Sequence, residues 1–157
     1  MSRKTGDSAM ISRNLEPILR NALADYPVVT IFGPRQSGKT TLAKMVCPDY
    51  EYVTLEDRES RDLALSDYKA FFSRHRGPLI IDEIQRVPEI VSAIQVEVDK
   101  DRTRNGRFVL TGSQQTELAE AVDESLAGRT SVLDLLPLSL SEIGGAVQDL
   151  SADALML

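Results

Sequence analysis

The chain has 157 residues, of which 42% are hydrophobic and 27% charged, and its formal charge is −6. Those proportions describe one ordinary globular domain, long enough to bury about two-thirds of its unfolded surface. The negative total argues against a domain that grips nucleic acid through its overall field. One cysteine, Cys47, and one histidine, His75, exclude an intrachain disulfide and a metal cage built from Cys or His clusters. No apolar run approaches the roughly 20 residues of a membrane helix, and Met1 to Ala9 lack the apolar core of a secretory signal. A reducing cytoplasm is the expected setting, without a membrane partner.

Residues 1–10 read as a disordered tail. From Ile11 the apolar positions Ile11, Leu15, Ile18, Leu19, Ala22 and Leu23 fall at helical spacing, and Tyr26-Pro27 closes that helix. Val28 to Phe32 is a short β-branched run of the kind buried on both faces of a sheet. A helix is expected from about Gly38 to Val46, stopped by Pro48. Strand and helix then alternate: Tyr52 to Leu55, a helix from Glu59 to Ser73, Leu79 to Ile81, and a helix from Pro88 to Lys100. Arg107 to Thr111, a helix from Glu117 to Glu124 and a strand from Thr130 to Leu135 complete the series. This order predicts an α/β domain over residues 11–143, a parallel sheet with helices on both faces. Residues 144–157, ending on Ala154-Leu155-Met156-Leu157, read as the start of a truncated linker or C-terminal region.

Gly33-Pro34-Arg35-Gln36-Ser37-Gly38-Lys39-Thr40 matches the P-loop pattern G-x-x-x-x-G-K-[ST]. Gly33 and Gly38 are expected to let the backbone curl so that successive N–H groups face phosphate oxygens. The next helix, carrying Thr41 in its first turn, presents its positive end to the same anion. Lys39 is expected on the β and γ phosphates and the Thr40 hydroxyl on Mg²⁺. Leu79-Ile80-Ile81-Asp82-Glu83 is an apolar strand ending in two acids. Asp82 is the second expected metal residue, and Glu83 is placed to orient and deprotonate a water. In the usual labels these are the Walker A and Walker B motifs.

Thr111-Gly112-Ser113-Gln114 closes the next strand at the end where ligands of parallel sheets bind. Ser113 is the first choice for a γ-phosphate contact, then Thr111, then Gln114. Arg129, in Ala127-Gly128-Arg129, is expected to project from the domain edge toward a neighbour's phosphate, which implies self-association through that residue. His75 and Cys47 read as a surface histidine and a small helix-end filler.

These residues resemble the AAA+ superfamily. More narrowly, Gly33 to Leu42, Asp-Glu-Ile-Gln-Arg-Val-Pro-Glu at 82–89, Leu-Thr-Gly-Ser at 110–113, Leu-Ala-Gly-Arg at 126–129 and Leu-Leu-Pro-Leu-Ser at 135–139 are similar to a bacterial and archaeal group of AAA+-like ATPases. The resemblance covers residues 11–143. It implies a P-loop NTPase three-layer sandwich with strand order 5-1-4-3-2, Mg²⁺ and ATP as ligands, and Ser113 or a neighbour as sensor. It also implies a C-terminal restriction-endonuclease-like domain in full-length members, outside this chain, and nucleic acid as a partner only of the full-length protein.

The function expected is binding and hydrolysis of Mg-ATP, coupled to conformational change in an attached domain or partner. The alternatives are a small-metabolite kinase and a non-hydrolysing nucleotide-dependent scaffold. A kinase needs an acceptor pocket and an arginine-bearing lid, and no lid segment is evident. A GTPase is disfavoured, because Val98-Asp99-Lys100-Asp101 only grazes the guanine-reading Asn-Lys-x-Asp motif.

Overall fold

In the computed structural model, which describes residues 13–137 and Gly144, the apolar runs form a five-stranded parallel sheet. Its strands are β1 (Val28–Phe32), β2 (Glu51–Thr54), β3 (Leu79–Asp82), β4 (Phe108–Gly112) and β5 (Thr130–Asp134). They lie in the order β2-β3-β4-β1-β5, the expected 5-1-4-3-2 read from the other edge. Every residue of β1, β3 and β4 is buried, whereas β2 and β5 at the edges are partly exposed.

Period-2 alternation divides the strand side chains between two cores. Val29, Ile31, Ile80 and Val109 pack with Leu19 and Ala22 of helix α1 (Glu16–Asp25) and with Leu42, Ala43 and Val46 of α2 (Lys39–Val46). Val28, Phe32, Leu79, Ile81, Phe108 and Leu110 face the other way. They pack against α3 (Arg58–Ser66), α4 (Tyr68–Arg74), α5 (Ile90–Asp99) and α6 (Thr116–Ser125). The result is the three-layer sandwich. Ile31, Leu42, Phe71, Ile80, Ile81, Ile94 and Leu110 are among its fully buried side chains, each contributing about 1.5–3 kcal/mol by leaving water. The one polar residue within β1, Thr30, is buried with its hydroxyl 3.0 Å from that of Thr130.

Most boundaries shift by a residue, and three differ by more. The helix expected over 59–73 is two helices, because Asp67 leaves helical geometry and its carboxylate accepts the Ala70 N–H at 3.0 Å. That N-cap bond satisfies a donor that a helix start otherwise leaves free. The helix expected from Pro88 begins at Ile90, after a 3-10 turn over Ile84–Arg86. The first helix starts at Glu16, with Pro17 in its opening turn. The expected tail at 1–10, the helix start at Ile11 and the C-terminal region apart from Gly144 lie outside the described residues.

Candidate functional site

The strand order puts the chemistry-bearing residues on one edge. β1 is flanked by β4 and β5, and β3 lies beyond β4, so the segments after β1, β3 and β4 converge at the carboxyl ends of the strands. That is where open parallel sheets bind ligands. The loop 33–38 leaves β1 there, and α2 begins at Lys39.

The curl of the loop comes from Gln36 at φ 62° and Gly38 at φ 89°, not from Gly33 as the pattern suggested. Gly33 is needed for space. A Cβ there would sit 2.3 Å from the Leu135 carbonyl oxygen and 2.9 Å from Ser37 Oγ. The chain leaving β5 thus presses directly on the loop.

Lys39 folds back onto the loop, its Nζ donating to the carbonyls of Gly33 at 2.9 Å and Pro34 at 2.7 Å. Burial pulls its ammonium below the ordinary value, while the carboxylates of Glu83 and Asp82 push the other way. Among the described residues, Ser37 Oγ is a buried side-chain oxygen without a hydrogen-bond partner. A cation resting on neutral carbonyls and an unmet hydroxyl fit an anion taken into this loop.

Asp82 is the hub of the site. Its Oδ1 accepts from Thr40 Oγ1 at 3.0 Å and from Thr111 Oγ1 at 2.5 Å, and its Oδ2 accepts from the Tyr52 hydroxyl at 2.7 Å. A buried carboxylate with three donors, drawn from β2, α2 and β4, is held in one orientation. Burial, followed by the bond to Asp82, raises the Tyr52 phenol well above its ordinary value, and Lys44 Nζ lies 3.8 Å from the centre of its ring. The paired oxygens of Thr40 and Asp82 are the hard donors that Mg²⁺ prefers, so these residues fit the cation.

Glu83 takes the left-handed conformation, φ 57° and ψ 42°, which costs a residue of its size about 1–2 kcal/mol. This turn carries its carboxylate out of the strand line and into a pocket of about 490 Å³. Arg35, Gln36, Gly38, Lys39, Thr40, Thr41 and Glu56 line the same pocket. On the other side of the loop, Gly33, Pro34, Ser113, Gln114, Asp134, Leu135 and Leu136 line a second pocket of about 620 Å³. Arg35 and Gln36 are exposed at the rim of the first pocket.

The fold therefore brings together every expected site residue except Arg129. That arginine precedes β5, and its carbonyl accepts the Val28 N–H at the amino end of β1. One strand length, about 16 Å for five residues, separates it from the P-loop of its own chain. Its guanidinium forms a two-pronged pair with Asp99, Nε to Oδ1 at 2.8 Å and Nη2 to Oδ2 at 3.0 Å. Asp99, from the stretch that grazes a guanine-reading motif, is thereby committed at the far end of the sheet. Cys47 is buried at the end of α2, where burial pushes its thiol up to about 11. His75 pairs with Glu51 at 2.8 Å and rests against Phe71. Both match the structural reading.

Sequence reasoning missed three residues. Arg13 is buried and donates to the Ser37 carbonyl at 2.6 Å and to that of Leu136 at 2.5 Å. No local pattern marks an arginine upstream of a helix as a partner of a loop 24 residues away. Tyr52 sits where strand period alone predicts a core residue. Gln85, between Glu83 and Ser113, carries the one available signal, its place in the Asp-Glu-Ile-Gln block.

Residues 25–144 match the family described as an AAA domain, and the chain belongs to that family. It is thus a nucleotide-binding, ATPase-like P-loop domain. It is 36% identical over 132 residues to uncharacterised proteins of Mycobacterium bovis and Mycobacterium tuberculosis, an alignment covering 83% of this chain and 30% of each relative. The chain spans under a third of the length of those relatives. Among solved structures it is similar to the Walker-type ATPase PABY2304 of Pyrococcus abyssi, with TM-score 0.57 and 18% identity over 90% of this chain and 58% of that one. It is also similar to a signal-transduction ATPase with numerous domains and a tetratricopeptide repeat sensor from Pyrococcus horikoshii. There the TM-score is 0.51 and the identity 16%, over 87% of this chain and 24% of the other. These structures bear on the fold. Among the described residues, no helix is long and apolar enough to cross a membrane.

Proposed function

We propose that the domain binds Mg-ATP at the P-loop and hydrolyses it to ADP and phosphate, with Glu83 as general base. The observation that carries this reading is the convergence of Lys39, the Thr40–Asp82 pair and Glu83 at one pocket. Lys39 exchanges its two carbonyl acceptors for β and γ phosphate oxygens, and the N–H groups of the loop and first turn of α2 take the rest. Mg²⁺ held by Thr40 and Asp82 supplies charge neutralisation on those oxygens when bound. Glu83 takes a proton from water as its oxygen attacks the γ-phosphorus and the bond to ADP breaks. Ser113, just after β4, is the residue that meets the phosphate as it departs, while the buried Thr111 hydroxyl stays on Asp82.

Coupling to a further domain or partner has a physical route. Arg13 joins the P-loop at Ser37 to the chain leaving β5 at Leu136, so a shift of the loop on binding pulls on that exit. For Arg129 the fork to Asp99 supports a structural role. Service to a neighbouring molecule's phosphate would first have to break that pair. Phosphate release proportional to protein concentration fits the structural role, and a steeper rise that vanishes in Arg129→Ala would replace it.

Phosphate release from Mg-ATP without any added acceptor, measured beside nucleotide binding, tests the proposal. Glu83→Gln is expected to keep ATP bound and to slow release by about 100-fold. Near-normal turnover in that variant would mean that another group handles the water. Binding without release in the unaltered chain would leave a nucleotide-dependent scaffold.

A further inference from the structure

Glu83 and the end of β4 are linked through a single side chain. Gln85 Nε2 donates to Glu83 Oε2 at 2.5 Å, and Gln85 Oε1 accepts the Ser113 N–H at 3.3 Å. The two contacts admit only one orientation of the amide. An ionised carboxylate can only accept and a backbone N–H can only donate, so nitrogen must face Glu83 and oxygen must face Ser113. Of the two side-chain amides, which carry a donor and an acceptor on one planar group, only glutamine has this length.

The surroundings are shaped for this bridge. A Cβ on Gly112 would lie 2.7 Å from Gln85 Oε1 and 2.9 Å from Ile84 Cγ2, so the bare glycine leaves the amide its room. The 3-10 turn over Ile84–Arg86 and the left-handed Glu83 bring residues 83 and 85 onto the same side. In a regular helix the side chains at i and i+2 would not face each other.

We propose that Gln85 is a positioning residue that couples the end of β4 to the orientation of the Glu83 carboxylate. This rests on the hydrolytic reading of Glu83. The γ-phosphate is sensed at Ser113, and any movement of that residue's N–H is passed through one rigid amide to the base. With the bridge in place the Glu83 carboxylate is held in one orientation for the water, and without it the carboxylate is free to turn away.

Two readouts test the link in the intact chain. The first needs no turnover. Glu83→Ala is expected to move the Ser113 backbone amide resonance in the wild-type background and to leave it in place in the Gln85→Leu background. Equal movement in both backgrounds, or none in either, would overturn the link. The second is steady-state hydrolysis. Gln85→Leu and the equal-sized Gln85→Glu are expected to lower kcat about tenfold while KM stays within about twofold. Gln85→Leu is further expected to add nothing to Glu83→Gln, since both act on one group. A loss that multiplies with that of Glu83→Gln would overturn the proposal. A wild-type chain that binds Mg-ATP and releases no phosphate would remove the hydrolytic reading instead, and the resonance test would then decide Gln85 alone.

Discussion

The two ends of the sheet treat their cations in opposite ways. At the carboxyl end Lys39 rests on two neutral carbonyls beside an unmet Ser37 hydroxyl. At the amino end Arg129 is neutralised by both oxygens of Asp99. A charge parked on dipoles keeps most of its attraction for an incoming anion, whereas a charge in a two-pronged ion pair has already used it. Both residues are basic and both stand beside a glycine, yet only one is disposed to take a ligand.

The largest test of this contrast is Lys39→Ala. Losing the one lysine of the phosphate cradle is expected to weaken Mg-ATP binding by about 100-fold or more, of the order of a buried charge-assisted contact. Titration calorimetry checks it, and unchanged affinity would remove the P-loop from the site.

Tyr52→Phe sharpens the comparison within the carboxyl end, because it deletes one of the three donors to Asp82 and leaves the ring over which Lys44 lies. The Mg²⁺ concentration that half-saturates nucleotide binding is expected to rise by about tenfold, the scale of a lost outer hydrogen bond at a metal site. An unchanged Mg²⁺ requirement would show that Thr40 and Thr111 suffice to orient the carboxylate.

The smallest effect belongs to the other end. Arg129→Ala is expected to leave Mg-ATP affinity unchanged and to lower the thermal midpoint by about 2 °C or less, as for a partly exposed ion pair. Its pH dependence has a definite sign. The hydrogen bond from Arg129 holds the Asp99 carboxyl below its ordinary value. The stabilisation is therefore fully present above the unfolded Asp value of about 3.9 and is lost as pH falls through the lower folded value. The difference in midpoint between the two proteins should close on that acid side. A difference that persists there would assign the effect to lost packing.

Much of this domain was legible before folding. The runs Val28–Phe32, Leu79–Ile81 and Phe108–Thr111 announce strands buried on both faces, and the loop 33–40 announces a phosphate site by its own residue types. The break at Asp67 was less legible, since its helical neighbours outweigh one capping residue in a periodicity argument. The motif alone ties the need for Gly33 to backbone freedom, and the structure gives it instead to the approach of Leu135. Arg129 is expected at the domain edge, toward a neighbour's phosphate; that it is held at the amino end of the sheet, in a fork to Asp99, is visible only in the fold.

The chain itself determined what depends on neighbours in sequence: the strands, the P-loop with its lysine and threonine, the acidic pair and the class of protein. Only the tertiary structure decided which side chains from distant segments meet. Tyr52 and Thr111 close on Asp82, Arg13 bridges the loop to the exit of β5, and Gln85 joins Glu83 to Ser113. These contacts depend on strand order and register, which period and composition do not encode. A parallel sheet pairs residues tens of positions apart through crossovers, so its site is assembled by topology from pieces that look ordinary alone.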